Sequence, residues 1–135
     1  MRTVTDLLMT GTLDRHQNVE VIVPHCGGSL PVLADRINGF MKIFMPGTGA
    51  PDAIEQLGRL YYDLAGPALP RLIPALLTLV GTDRLLYGSD HCWTPAAGVE
   101  AHVAALDAAP APEGSASWRA LTTANARRCL SRTAH

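Results

Sequence analysis

The spacing of apolar positions switches repeatedly along this chain between continuous short runs and helical repeats. Val19-Glu20-Val21-Ile22-Val23 is a nearly unbroken apolar run that stops at Pro24-His25-Cys26-Gly27-Gly28. A run of that length bounded by turn residues reads as a strand buried on both faces. Leu60 to Ala65 forms a second run, closed by Gly66-Pro67, and Arg84 to Tyr87 a third, broken by Gly88-Ser89 just before Asp90. Helical spacing fills the intervals. Thr5 caps a first helix with Leu7, Leu8, Met9 and Leu13. Ser29 and Pro31 open a helix marked by Leu33, Ile37 and Phe40. A short helix over residues 52–60 turns Ile54 and Leu57 inward, after a loop from Met45 to Pro51. Leu72, Ile73, Leu76, Leu77 and Val80 mark the next helix, with Gly81 placed as its left-handed C′ residue. Thr94-Pro95 opens another with Val99, Val103 and Leu106 on one face, and one or two helices follow between Ser117 and Leu130.

Strand and helix therefore alternate three times between a leading helix and a helical tail. This order predicts an α/β fold with parallel strands joined by right-handed crossovers. Residues 1–135 contain no linker-like stretch and read as one domain. Composition then narrows the function. With 47% hydrophobic and 17% charged residues the chain is globular rather than disordered. A net charge of -1 without a cationic run gives no nucleic-acid stripe and no membrane-surface patch. The apolar stretch around Leu72 to Val80 contains Pro74 and is far shorter than the roughly 20 residues a membrane span needs. The first residues lack the cationic start and apolar core of a signal peptide. Cys26, Cys92 and Cys129 are odd in number and widely spaced, which fits reduced thiols in a cytoplasmic protein.

Parallel α/β folds carry their chemistry at the carboxyl ends of the strands. Two such ends here hold polar side chains of catalytic type. His25 can shuttle a proton or bind a metal, and equally can satisfy the turn it sits in. Asp90 can coordinate a divalent cation or take a proton from metal-bound water, against the commoner role of an Asp in a Gly-Ser-Asp turn. Asp63, which follows Tyr61-Tyr62 on the middle strand, reads as a structural group that hydrogen-bonds at the mouth, ahead of a catalytic role. Arg36 lies on the helix after His25, as a solvated residue or as a planar fork for a substrate carboxylate. His91 and Cys92 read as loop residues, Trp93 and Trp118 as packing residues. No phosphate loop, G-x-S-x-G elbow, H-x-H or H-E-x-x-H pattern occurs.

Three stretches in order, Val21 to Pro31, Tyr61 to Ala65 and Val80 to Asp90, resemble the amidohydrolase-related family, in its aminocarboxymuconate-semialdehyde decarboxylase-like branch. Asn125-Ala126-Arg127-Arg128 resembles that family's closing helix, and Thr10 to His16 the helix before its sixth strand. The resemblance implies the C-terminal part of a distorted TIM (β/α)8 barrel, with strands six to eight and their helices. It implies a metal-dependent decarboxylase acting on an aromatic or conjugated carboxylic acid, with a lactone or amide hydrolase as the alternative. His25 would match the family's acid/base histidine and Asp90 its aspartate ligand to a divalent metal, zinc by expectation. Arg36 falls where decarboxylase members carry an arginine that reaches a neighbouring subunit's substrate carboxylate, which implies a homodimer. The family's H-x-H pair and a further metal-binding histidine have no counterpart here. Alone, three strands would expose two sheet edges and an apolar face, so an inactive, association-prone fragment is the third expectation.

Overall fold

The computed structural model describes residues 1–46 and 52–132, with the side chain of Arg132 excepted. Residues 47–51 of the expected loop lie outside the described residues. Three strands, β1 (Ile22–Val23), β2 (Tyr61–Asp63) and β3 (Leu85–Leu86), form one parallel sheet in the order β1-β2-β3. Seven helices accompany them among the described residues: α1 (Arg2–Met9), α2 (Thr12–Arg15), α3 (Leu30–Phe44), α4 (Ala53–Arg59), α5 (Leu72–Leu76), α6 (Ala96–Ala108) and α7 (Trp118–Arg132). This is the parallel α/β arrangement that the alternation predicted, and it fits the partial barrel that the resemblance implied.

Register puts Val23, Tyr62 and Leu85 in one row across the sheet, all buried. They join the main core with Leu30, Ala34, Ile37 and Met41 of α3, Leu57 of α4 and Ile73 and Leu76 of α5. The α3 stripe therefore runs through Leu30, Ala34, Ile37 and Met41, at helical spacing. Leu33 is only half-buried and Phe40 is exposed, so the stripe is rotated from the one expected. Asp52 caps α4 by accepting from Ile54 N (2.8 Å), and also binds Asn38 Nδ2 (2.9 Å) and Lys42 Nζ (2.7 Å) of α3. The caps of one helix and the flank of another thus share a single carboxylate.

Burial on both faces holds for β3 but not for β1. Val19 is 56% and Ile22 48% exposed. On the second face, Tyr61 and Leu86 are covered by Cys129 and Ala126 of α7. Both β1 and β3 are edges of this sheet, so the difference lies in what covers their faces and not in edge position. Two of the five expected residues of β1 enter the ladder.

Three local expectations also change. Thr5 lies inside α1, which begins at Arg2, and Gly11 at φ 67 splits off α2. The helix at Leu72 stops at Leu76 and continues as tight turns to Val80, so Gly81 is extended at φ -75 and opens the turn Thr82–Arg84 instead of closing a helix. Trp118 is buried, with its indole N–H donating to Pro110 O (3.0 Å), whereas Trp93 is 85% exposed and packs into no core. The helical tail is one helix. Buried Asn125 ties it to β3, donating from Nδ2 to Thr82 O (2.8 Å) and Leu85 O (2.7 Å). Its Oδ1 accepts from Arg128.

Candidate active-site rim

The chain leaves β1 in an uncommon conformation. His25 (φ 56), Cys26 (φ 53), Gly27 (φ 75) and Gly28 (φ 59) all occupy positive φ in succession. Glycine accepts this freely, but histidine and cysteine do not. Turn bonds from Gly27 N to Pro24 O (3.1 Å) and from Gly28 N to His25 O (2.9 Å) close the segment on itself. Gly27 must also be small, because a Cβ there would lie 3.0 Å from Tyr62 Cε1. Cys26 is buried beneath the turn. Its thiol is pushed up to about 12, mainly by burial and further by the charge of Asp63, so it is protonated and inert at neutral pH.

Asp63 at the end of β2 holds this turn from across the sheet. Its Oδ1 accepts from His25 N (2.9 Å) and from Ala65 N (3.0 Å). The carbonyl of Ala65 in turn lies 3.4 Å from His25 Nδ1. A carbonyl only accepts, so this contact selects the tautomer with the proton on Nδ1. Nε2 then carries the lone pair in the neutral ring and a transferable proton in the charged one.

Asp90 stands at the corresponding end of β3, also at positive φ (54). Its carbonyl accepts from Trp93 N (3.0 Å) and Thr94 N (2.7 Å), and its Oδ2 accepts from Thr94 Oγ1 (3.2 Å). Among the described residues nothing hydrogen-bonds to Oδ1, which leaves one carboxylate oxygen for another partner. His25, Asp63 and Asp90 therefore share one rim of the sheet, each at the carboxyl end of a parallel strand. Gly88 brings two of these ends together, since a Cβ at that position would lie 3.0 Å from Asp63 Cγ and 3.2 Å from its Oδ2. Arg36 is exposed on α3, and no hydrogen bond or ion pair among the described residues joins it to this rim. His91 and Cys92 are exposed loop residues, as expected.

Asp63 was legible as a hydrogen-bonding group at the mouth, but its two donors were not. Gly88 and the Ala65 carbonyl carried no signal at all. A glycine between an apolar run and a serine looks like any strand break. A backbone carbonyl has no side chain to read.

Donors for a metal are incomplete in this chain. Among the described residues, no three His, Cys, Asp or Glu side chains come together. A catalytic zinc takes about three protein ligands. The residues present do not fit such a metal by themselves, whatever Asp90 contributes to a larger set.

A parallel α/β sheet with polar residues at its carboxyl rim is an arrangement that barrels and open α/β sheets share. The chain belongs to the amidohydrolase family, whose model matches residues 1–135. It is 31% identical over 113 residues to decarboxylase macB of Penicillium terrestre, covering 78% of this chain and 32% of that protein. It is 30% identical over 92 residues to the 6-methylsalicylic acid decarboxylase of Penicillium expansum, covering 66% and 28%. The chain thus spans about a third of the length of the curated relatives it matches. A solved amidohydrolase II structure superposes with a TM-score of 0.79 at 29% identity, covering 96% of this chain and 41% of that one. The dihydroxybenzoic acid decarboxylase of Polaromonas sp. JS666, solved with bound manganese, shares the fold (TM-score 0.74, 17% identity, covering 95% and 38%). No helix among the described residues is long and apolar enough to cross a membrane.

Proposed function

We propose that the complete protein decarboxylates an aromatic carboxylic acid, with His25 as the proton donor. The observation that carries this reading is the grip on His25 at the rim, where its backbone amide is held by Asp63 and its ring meets the Ala65 carbonyl. Relatives named as decarboxylases support the reaction class, and the 6-methylsalicylic acid decarboxylase supports an aromatic acid.

Replacing a carboxylate by hydrogen needs one proton delivered to the ring carbon that bears it. The protonated His25 imidazole supplies that proton from Nε2. The ring carbon binds it with a pair of ring π electrons. The bond to the carboxylate then breaks, its electron pair restores the ring, and carbon dioxide leaves. One proton is consumed per turnover, and His25 is recharged from solvent. In the complete protein Asp90 would offer one donor oxygen to a divalent metal, whose other ligands would have to come from outside the described residues. Zinc and manganese stay equivalent on this donor. Arg36, exposed on α3, is suited to reach the substrate carboxylate of a second copy.

The test is carbon dioxide release by the complete protein from a panel of hydroxylated benzoic acids. His25→Asn is the informative variant, because asparagine tolerates a left-handed backbone and removes only the proton donor. Its kcat should fall by about 10²–10⁴. Hydrolysis of lactones or amides without any carbon dioxide release would replace this reading with the hydrolase one.

A further inference from the structure

The proposed chemistry requires an imidazole that stands still, yet His25 sits on a backbone that resists its own conformation. His25 and Cys26 are consecutive L-residues at positive φ, and such positions persist only where the surroundings over-determine them. The surroundings here come from one short segment of β2 and its exit. Asp63 Oδ1 accepts from the His25 amide, and the same oxygen accepts from Ala65 N. The second bond anchors Ala65 through its amide, and the carbonyl of the same residue, one peptide unit on, meets the His25 ring. One oxygen atom thus orients both ends of the histidine. On the far side, Gly88 of the β3 exit stands against the carboxyl group with no room for a methyl, and blocks its retreat.

We propose that Asp63 is a positioning residue. Through Oδ1 alone, it holds His25 in the left-handed conformation and sets where the imidazole stands. The proposal rests on His25 being the proton donor. It requires an acceptor at one position and not a negative charge, and this separates it from a role for Asp63 as acid, base or metal ligand.

Three variants of the complete protein test it. Asp63→Asn keeps an oxygen at the Oδ1 position and should retain kcat within about threefold, the loss set by a neutral in place of a charged acceptor. Asp63→Ala removes the acceptor and should lower kcat on the order of 100-fold, the scale of an ångström of misplacement, with KM changed less than about threefold. Gly88→Ala changes neither His25 nor Asp63, but its Cβ would lie 3.0 Å from Asp63 Cγ and 3.2 Å from Oδ2. It should lower kcat in the direction of Asp63→Ala by pressing on the carboxyl group. A loss in Asp63→Asn as deep as in Asp63→Ala would overturn the proposal, because the charge would then be what matters. The His25 amide proton provides a readout independent of turnover. Its NMR resonance should lie downfield in wild type and Asp63→Asn and move upfield in Asp63→Ala and Gly88→Ala. An unmoved resonance in Asp63→Ala overturns the clamp even if the protein decarboxylates nothing. Absent turnover with the expected resonance shifts overturns only the reaction.

Discussion

Gly27→Ala and Gly28→Ala compare backbone strain alone with strain plus steric clash at the turn carrying His25. Both residues have positive φ, 75 and 59. Gly28, at ψ -115, lies outside the left-handed helical well in a region that glycine alone adopts readily, so alanine there costs about 1–3 kcal/mol. Positive φ at Gly27 costs an alanine about 1–2 kcal/mol. Both substitutions also stiffen the unfolded chain by a similar amount. The two sites differ in space as well. A Cβ at Gly28 meets nothing within 4 Å, whereas one at Gly27 lies 3.0 Å from Tyr62 Cε1 and 3.2 Å from Cδ1. Tyr62 cannot give way easily. It is fully buried in the middle of the sheet, and its hydroxyl donates to Leu57 O (3.0 Å). Burial raises its pKa well above the ordinary phenol value, so the hydroxyl keeps its proton and its bond. Forcing a methyl against such a ring adds about 1–3 kcal/mol. Gly28→Ala should therefore cost about 1–3 kcal/mol through backbone strain alone and Gly27→Ala about 2–5 through strain and clash together. Urea denaturation followed by circular dichroism reads both, with an unchanged slope. A Gly27→Ala cost no greater than strain alone, about 1–2 kcal/mol, would refute the claim that Tyr62 limits the turn.

Two further outcomes follow from groups away from the rim. Asn125→Ala should cost about 2–4 kcal/mol in the same denaturation assay, because Thr82 O and Leu85 O each lose a buried donor. A neutral result would mean that α7 holds β3 by apolar contact alone. Asp52 has its pKa lowered from 3.8 to about 2, first by the hydrogen bond from Lys42 and then by that from Asn38. A lowered folded pKa stabilises above the unfolded value, and the benefit is lost as pH falls through the folded one. Asp52→Asn keeps the cap but not the ion pair. Wild type should melt above it at neutral pH, with the gap closing between about pH 4 and pH 2. The gap is small, because both side chains are largely solvated. A gap that widens on acidification would contradict the assignment.

Much of the fold was readable in advance because its signals are local. The three strands fall within the expected apolar runs Val19 to Val23, Leu60 to Ala65 and Arg84 to Tyr87, and the helices follow the expected order. Turn chemistry located the rim for the same reason, since Gly27-Gly28 and Gly88-Ser89 interrupt apolar runs whatever surrounds them. The failures were non-local. Trp93 reads as packing by residue type, yet its loop meets no core. The rotated stripe of α3 depends on which helices it faces. Gly81 looked like a helix cap, but where α5 stops is decided by the turns that satisfy its last carbonyls.

What the linear chain determined is the alternation of strand and helix and the placing of an imidazole and a carboxylate just past strand ends. Periodicity and turn residues act within a few positions, so they survive in any context. Only the folded molecule decided that Ile22 lies open while Leu86 is covered, and that one oxygen of Asp63 holds His25. The partners in that bond are 38 residues apart. Their meeting depends on β1 and β2 lying side by side in register, a relation that no local window of sequence contains.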